Sequence, residues 1–192
     1  MKTYQVITPA STYPVSLTEA KSHLKVDTTA DDTYIESIIK AATQLSEEYT
    51  NRFFIDTVIE QYASSFAELE TLFKSKVSSV AHVKYYDSDN SLQTLSASVY
   101  DAQLNYEPSQ IQLADSQSFP SITKRNDAVL ARYTVGYGSA ASDVPEIIKQ
   151  AILLTIGNFY ENRNSVVIGR IATELPMNVK WLLDTYKVQI VG

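Results

Sequence analysis

Cysteine is absent from the 192 residues, and histidine occurs only at His23 and His82. Disulfides, zinc ribbons, thiol nucleophiles and iron–sulfur clusters are thereby excluded, and a histidine-rich metal site nearly so. Glycine is scarce: there are five, the first at Gly136. Phosphate-cradling loops need close backbone approach and positive φ, so none can lie before that residue. Basic runs are missing too. Sixteen Lys and Arg against 22 Asp and Glu leave a formal charge of −6, and the longest cationic fragments resemble Lys124-Arg125 in size. A generic nucleic-acid coat, which neutralises phosphate with clustered cations, is therefore disfavoured. The start, Met1-Lys2-Thr3-Tyr4, leads into a polar stretch without the apolar core of a signal peptide. The most apolar segment, 151–156, is far shorter than the roughly 20 residues of a bilayer crossing. These absences point to a soluble protein made in a cytoplasm, without catalytic equipment, metal or cofactor.

What is present organises itself clearly. Ser16 and Glu19 form the reciprocal capping pattern ahead of a short helix over about Leu17 to Lys25, with Val15 placed as the staple residue. Asp31 and Asp32 then open a second helix with acids at its positive end. Ile35, Ile38, Ile39, Ala42, Leu45, Tyr49 and Phe53 mark its buried stripe. It ends near Thr50-Asn51-Arg52, with Asn51 taking the left-handed stop conformation.

From Asp56 to Tyr137 the pattern changes to short β-like runs at 57–62, 69–73, 81–86, 98–104, 110–113 and 128–135. Asp87-Ser88-Asp89-Asn90 reads as a hairpin turn built without glycine. Helical periodicity returns at Pro145, where a helix almost apolar all round runs from Ile147 to Asn162 and calls for neighbours on most sides. A polar, β-branched connection with Gly169 follows, and Pro176 starts a final helix through Trp181 and Tyr186. The expected fold is α+β: a small bundle of two N-terminal and two C-terminal helices with an inserted antiparallel β module. The boundaries place 1–55 and 138–192 in the helical domain and 56–137 in the insertion.

The chemistry candidates mostly have plain structural explanations. Adjacent carboxylates at Asp31-Asp32 and Glu47-Glu48 point about 100° apart on a helix and do not converge on a metal. Asp87–Ser91 faintly resembles a calcium loop but lacks its central glycine and terminal glutamate. His23 and His82 lie on separate elements, with no Gly-x-Ser-x-Gly elbow, and read as structural histidines. Gly136-Tyr137-Gly138 marks a bend at a strand exit. Tyr160-Glu161-Asn162-Arg163 is either a polar helix end or an inter-subunit clamp. Thirteen Tyr against six Phe and one Trp is an excess that suits surfaces buried on assembly.

The segment from Pro14 to Val26, Asp31-Asp32, and the Ile-rich helix ending Thr50-Asn51-Arg52 resemble the N-terminal signature of tailed-phage head–tail connector (head-completion, adaptor) proteins. Val144 to Leu154, Tyr160–Arg163, Leu175-Pro176 and Leu182–Tyr186 are similar to that family's C-terminal signature. The resemblance covers essentially the whole chain, including the β insertion that one branch carries; Asn51 and Asn90 stand where glycine is common. It implies a virion structural part, located in the neck and assembled from subunits made in the host cytoplasm, encoded by a phage or prophage. Implied partners are further copies of itself in a ring expected to be twelvefold, the portal protein, and neck or tail proteins. DNA passes through without sequence-specific binding, and no membrane is involved. Under this resemblance Tyr160, Arg163, Val166, Val167 and Ile168 are expected at the subunit or portal interface, in or beside a connection that orders against a neighbour. Glu36, Glu47 and Glu48 are expected to face the lumen. The alternative is a ligand- or partner-binding β module with helical flanks, marked by a concave aromatic groove.

Overall fold

In the computed structural model, residues 3–74, 76–163 and 175–188 are described. The chain divides into two compact units, one of Thr12–Thr50 with Gly138–Lys187, the other of Met1–Ser11, Asn51–Tyr137 and Val188–Gly192. Among the described residues four α-helices build the first and antiparallel sheets the second, so the fold is α+β.

In the helical unit, α1 spans Leu17–Leu24 and α2 spans Asp32–Thr50. Ser16 accepts from the Glu19 amide through its hydroxyl oxygen, and the Glu19 carboxylate accepts from the Ser16 amide at 2.7 Å. These reciprocal bonds satisfy donors that a helix start leaves unpaired. Val15, expected as the staple, is buried. The stripe of α2 that is buried runs Ile35, Ile38, Ile39, Ala42, Thr43, Ser46 and Thr50. Leu45, Tyr49 and Phe53, expected there, are only half-buried. The polar trio is tolerated inside because the hydroxyls of Thr43, Ser46 and Thr50 donate to the carbonyls of Ile39, Ala42 and Ser46, each at 2.8 Å. After Pro145, α3 spans Glu146–Glu161, and α4 spans Met177–Asp184 after Pro176. Ile148, Ala151, Ile152, Thr155 and Ile156 of α3 are buried, while Ile147 is exposed.

In the β unit, β1 (Thr3–Thr8), β2 (Thr57–Ala63), β3 (Val77–Tyr86), β4 (Leu92–Thr94) and β7 (Val129–Val135) form one sheet in the order β1-β2-β7-β3-β4. β5 (Tyr100–Gln103) and β6 (Gln110–Leu113) form a separate pair. The expected boundary at residue 55 groups Thr3–Thr8 with the helices, but β1 pairs antiparallel with β2. In its TYQVIT sequence only Tyr4 is half-buried, packed against Phe53 and Phe73, so the apolar alternation is weak. The expected strand at 69–73 is also replaced. A 3-10 turn spans Phe66–Leu69, with Phe66 stacked on Phe119 at 4.2 Å between ring centres. The following backbone bonds to side chains instead of a ladder: Gln61 Nε2 donates to the Thr71 carbonyl at 3.1 Å, and the Phe73 amide donates to Gln61 Oε1 at 2.9 Å. Tyr133 completes the network by donating its hydroxyl proton to Gln61 Oε1 at 2.6 Å. The turn at Asp87–Asn90 forms as expected, with Asn90 at φ 58° and Asn51 at φ 54°.

Ile59, Val83, Ala131 and Tyr133 centre the core of this unit. Tyr133 is buried and its phenol pKa is pushed far up by that burial. Removing its hydroxyl in Tyr133→Phe strands a paired buried amide group, so the variant should lose about 1–3 kcal/mol. Chemical denaturation followed by tyrosine and tryptophan fluorescence measures the loss.

Candidate functional site

Two segments distant in sequence, 31–34 and 159–163, meet at the Asp31 carboxylate. Tyr160 donates its hydroxyl to Asp31 Oδ2 at 2.6 Å, and Arg163 Nη2 lies 2.8 Å from the same oxygen. The Arg163 guanidinium sits 4.5 Å from the Tyr34 ring centre and 4.6 Å from that of Tyr160, between two faces that attract a cation. The Tyr34 hydroxyl donates to the Phe159 carbonyl at 3.1 Å, one of the carbonyls that the end of α3 leaves without a helical partner. The clamp has matched electrostatics, since Asp31 precedes the positive end of α2 and Arg163 follows the negative end of α3. Hydrogen bonds from Arg163, then from Tyr160, hold the Asp31 carboxyl below its ordinary value of 3.8. The bond to Asp31 raises the Tyr160 phenol in turn.

The same helix is tied elsewhere. Lys21 of α1 meets Asp32 at 2.6 Å. At the far end Tyr49 donates to Asp184 Oδ1 at 2.5 Å, with Lys187 Nζ 4.6 Å from the Tyr49 ring centre. Both ends of α2 are thus pinned to other helices of the unit. His23, expected as structural, lies over Gly157 of α3, where an added Cβ would stand 3.6 Å from its Nε2.

Tyr160 and Arg163 are therefore engaged within the chain. Val166, Val167 and Ile168 lie outside the described residues. Glu36 and Glu48 are exposed and Glu47 is half-buried. Eleven residues at 100° each bring Glu36 and Glu47 to within about 20° of one stripe, whereas Glu48 is about 120° from Glu36. The stripe is interrupted by buried Thr43, so the three acids form no continuous face. Glu36 instead lines an open groove of about 510 Å³ with Tyr13, Val15, Leu17, Ile39 and Lys40. Sequence reasoning missed two features here. Tyr34 is as much part of the clamp as Tyr160, but no local signal joins residues 125 positions apart. Met177 and Trp181, one turn apart on α4, are 66% and 70% exposed.

The outer face of the large sheet carries a second constellation. Gln5, Glu60, Arg132 and His82 stand opposite one another across β1, β2, β7 and β3. Buried Glu60 accepts from Arg132 Nε at 2.9 Å and from the Tyr62 hydroxyl at 2.7 Å, which pushes the Tyr62 phenol up to about 12. His82 Nε2 lies 3.8 Å from Glu60 Oε2. Burial, then Lys84 and Arg132, lowers the His82 pKa and favours its neutral form. Among the described residues no group of three or more His, Asp and Glu is placed to hold a metal.

Among the described residues the chain thus combines a pinned four-helix unit with an antiparallel β unit. The profile of the phage gp6-like head-tail connector proteins matches residues 14–116, more than half of the chain, and the chain belongs to that family. Its members are structural proteins that join head to tail. Among solved structures, a chain in the neck of an empty gene transfer agent particle computed with C6 symmetry superposes with a TM-score of 0.79 at 19% identity, covering 98% of this chain and 97% of its own. A chain in the virion of the native particle gives 0.79 at 19%, covering 98% and 96%. One in the native neck computed with C12 symmetry gives 0.73 at 19%, covering 100% and 97%. No characterised protein sequence matches.

Replacing Asp31 by Asn should lower the thermal midpoint of the helical unit at neutral pH, because Arg163 and Tyr160 lose a charged acceptor. A depressed carboxyl pKa stabilises the fold above the ordinary value and ceases to do so as pH falls through the folded value. The gap between the wild type and Asp31→Asn should therefore be full above about pH 5 and close below 3.8. Thermal melts across that range measure it.

Proposed function

We propose that this protein is a non-enzymatic ring subunit of the virion neck, seated beneath the portal, where it joins head to tail and continues the DNA channel. The observation that carries the reading is the likeness along nearly the entire chain to chains of particle necks computed with sixfold and twelvefold symmetry, together with the family match. Residues 12–50 with 138–187 form the connector body, and 51–137, with the strand at 3–8 paired onto it, is its β unit. The partners are other copies of the chain, the portal protein, and neck or tail proteins.

Tyr160 and Arg163 position the chain where α3 ends, and Val166, Val167 and Ile168 directly downstream supply apolar contact to a neighbouring subunit or the portal. Glu36 and Glu47 from one stripe of α2, and Glu48 from its flank, bring negative charge to the lumen, where it avoids the counterion-release grip that would stall DNA. The ligand-binding alternative requires a concave aromatic groove in the β unit, whereas the groove described above belongs to the helical unit.

Native mass spectrometry over a concentration series, with and without portal, should give ring-sized species; monomer under every condition would refute the ring. Charge reversal in Glu36→Lys with Glu47→Lys should slow DNA ejection from assembled particles and make its rate depend more steeply on salt. Unchanged ejection would refute the lumen assignment.

A further inference from the structure

An open sheet has two edges, and soluble proteins ordinarily guard both with charges, prolines or a covering element, because unpaired N–H and C=O groups template another strand. Here the charges are distributed the other way round. The inner strands carry them: Glu60 on β2, His82 and Lys84 on β3, and Arg132 on β7. The edge strands β1, TYQVIT, and β4, LQT, carry none.

Both edges also present apolar side chains to water. Val6 is 40% exposed, Ile7 37% and Leu92 47%. Every residue of β1 except Tyr4 is exposed, as is all of β4. About three of the six β1 residues turn their amide and carbonyl groups outward, as alternation in an antiparallel ladder requires. Among the described residues no strand pairs with Val77–His82 on the flank of β3 away from β7, where Ser78, Ser79 and Ala81 are exposed and uncharged.

We propose that β1 of one copy adds to the β3–β4 edge of the next, joining the sheets of neighbouring subunits head to tail. The occupant is a second copy because the two edges differ. A contact between unlike surfaces of identical chains is heterologous and closes into a ring when its rotation permits, whereas β1 against β1 gives a two-fold dimer that stops there. The central ion row stays within each subunit and leaves both edges neutral, so strands can meet without burying a lone charge. This inference rests on the ring reading above and names the surface that makes the ring.

The absence of cysteine supplies a clean test. Thr3, Tyr62, Leu130, Lys84 and Thr94 form one row across the sheet, so Thr3 and Thr94 are its two ends on a single face. The double variant Thr3→Cys, Thr94→Cys, treated with a short bifunctional thiol reagent, should yield a ladder of linked multimers on a denaturing gel. Either single variant should yield only the monomer. Val6→Lys should reduce the ring population about tenfold at equal concentration, while uncharged, β-branched Val6→Thr keeps it. Circular dichroism should show both Val6 variants folded.

Rings in native mass spectra without a ladder would overturn the edge pairing and leave the ring reading intact. Dimers from Thr3→Cys alone would also overturn it, in favour of isologous pairing. Monomer in every spectrum, with or without portal, would remove the ring reading and this inference with it.

Discussion

Thr57 stands opposite Val135 on the ladder between β2 and β7, so the chain enters and leaves the inserted strands at adjacent points. Closing a flexible loop of that length would cost about 4 kcal/mol in entropy. The ladder brings the ends together by itself, with seven paired positions from Thr57–Val135 to Ala63–Val129. The two helix pairs can then be continuous in space while remote in sequence. The Asp31–Arg163 clamp is possible only under that condition, as is the Tyr49–Asp184 bond. An insertion with separated ends would have to be accommodated by the helices; one with paired ends can vary while the connector body persists.

Legibility in the sequence followed the range of the interactions. The capping box at Ser16–Glu19, the stop at Asn51 and the turn at Asp87–Asn90 are decided within four or five residues, and each was readable. The fate of 69–73 was not. Residues 69–73 read as a short β-like run, yet Gln61 and Tyr133 capture the backbone of Thr71 and Phe73. A side chain from another strand can defeat local β-propensity, and nothing within the segment announces it. Edge strands failed for the opposite reason. With only Tyr4 packed against the core, β1 lacks the apolar alternation by which a strand is ordinarily recognised. At the candidate site, Tyr160 and Arg163 stood out as interface residue types, but their partners Asp31 and Tyr34 lie over 120 residues away.

The composition of the turns explains the scarcity of glycine. Lys25, Asn51, Lys74, Asn90 and Ser116 adopt left-handed backbone with φ between 54° and 61°. A residue with Cβ there costs roughly 1 kcal/mol. Glycine would relieve that strain but would loosen the unfolded chain by about 0.4–1 kcal/mol, so the exchange is close to neutral. Left-handed turns therefore exert little demand for glycine. Gly136 and Gly138 occupy a different region, at φ 147° and 157°. An added Cβ would stand 2.7 Å from the Asp56 backbone nitrogen at the first and 2.2 Å from Asp143 Oδ2 at the second. At the first of these the clash is with backbone, which cannot give way as the tip of a side chain can. Asp143 is itself held, accepting from the Ala140 amide at 3.0 Å, so little relaxation is open at the second. Where the residue is kept, both φ and contact require it. A chain with few glycines begins with fewer accessible unfolded conformations, which suits a part whose work is to hold its shape.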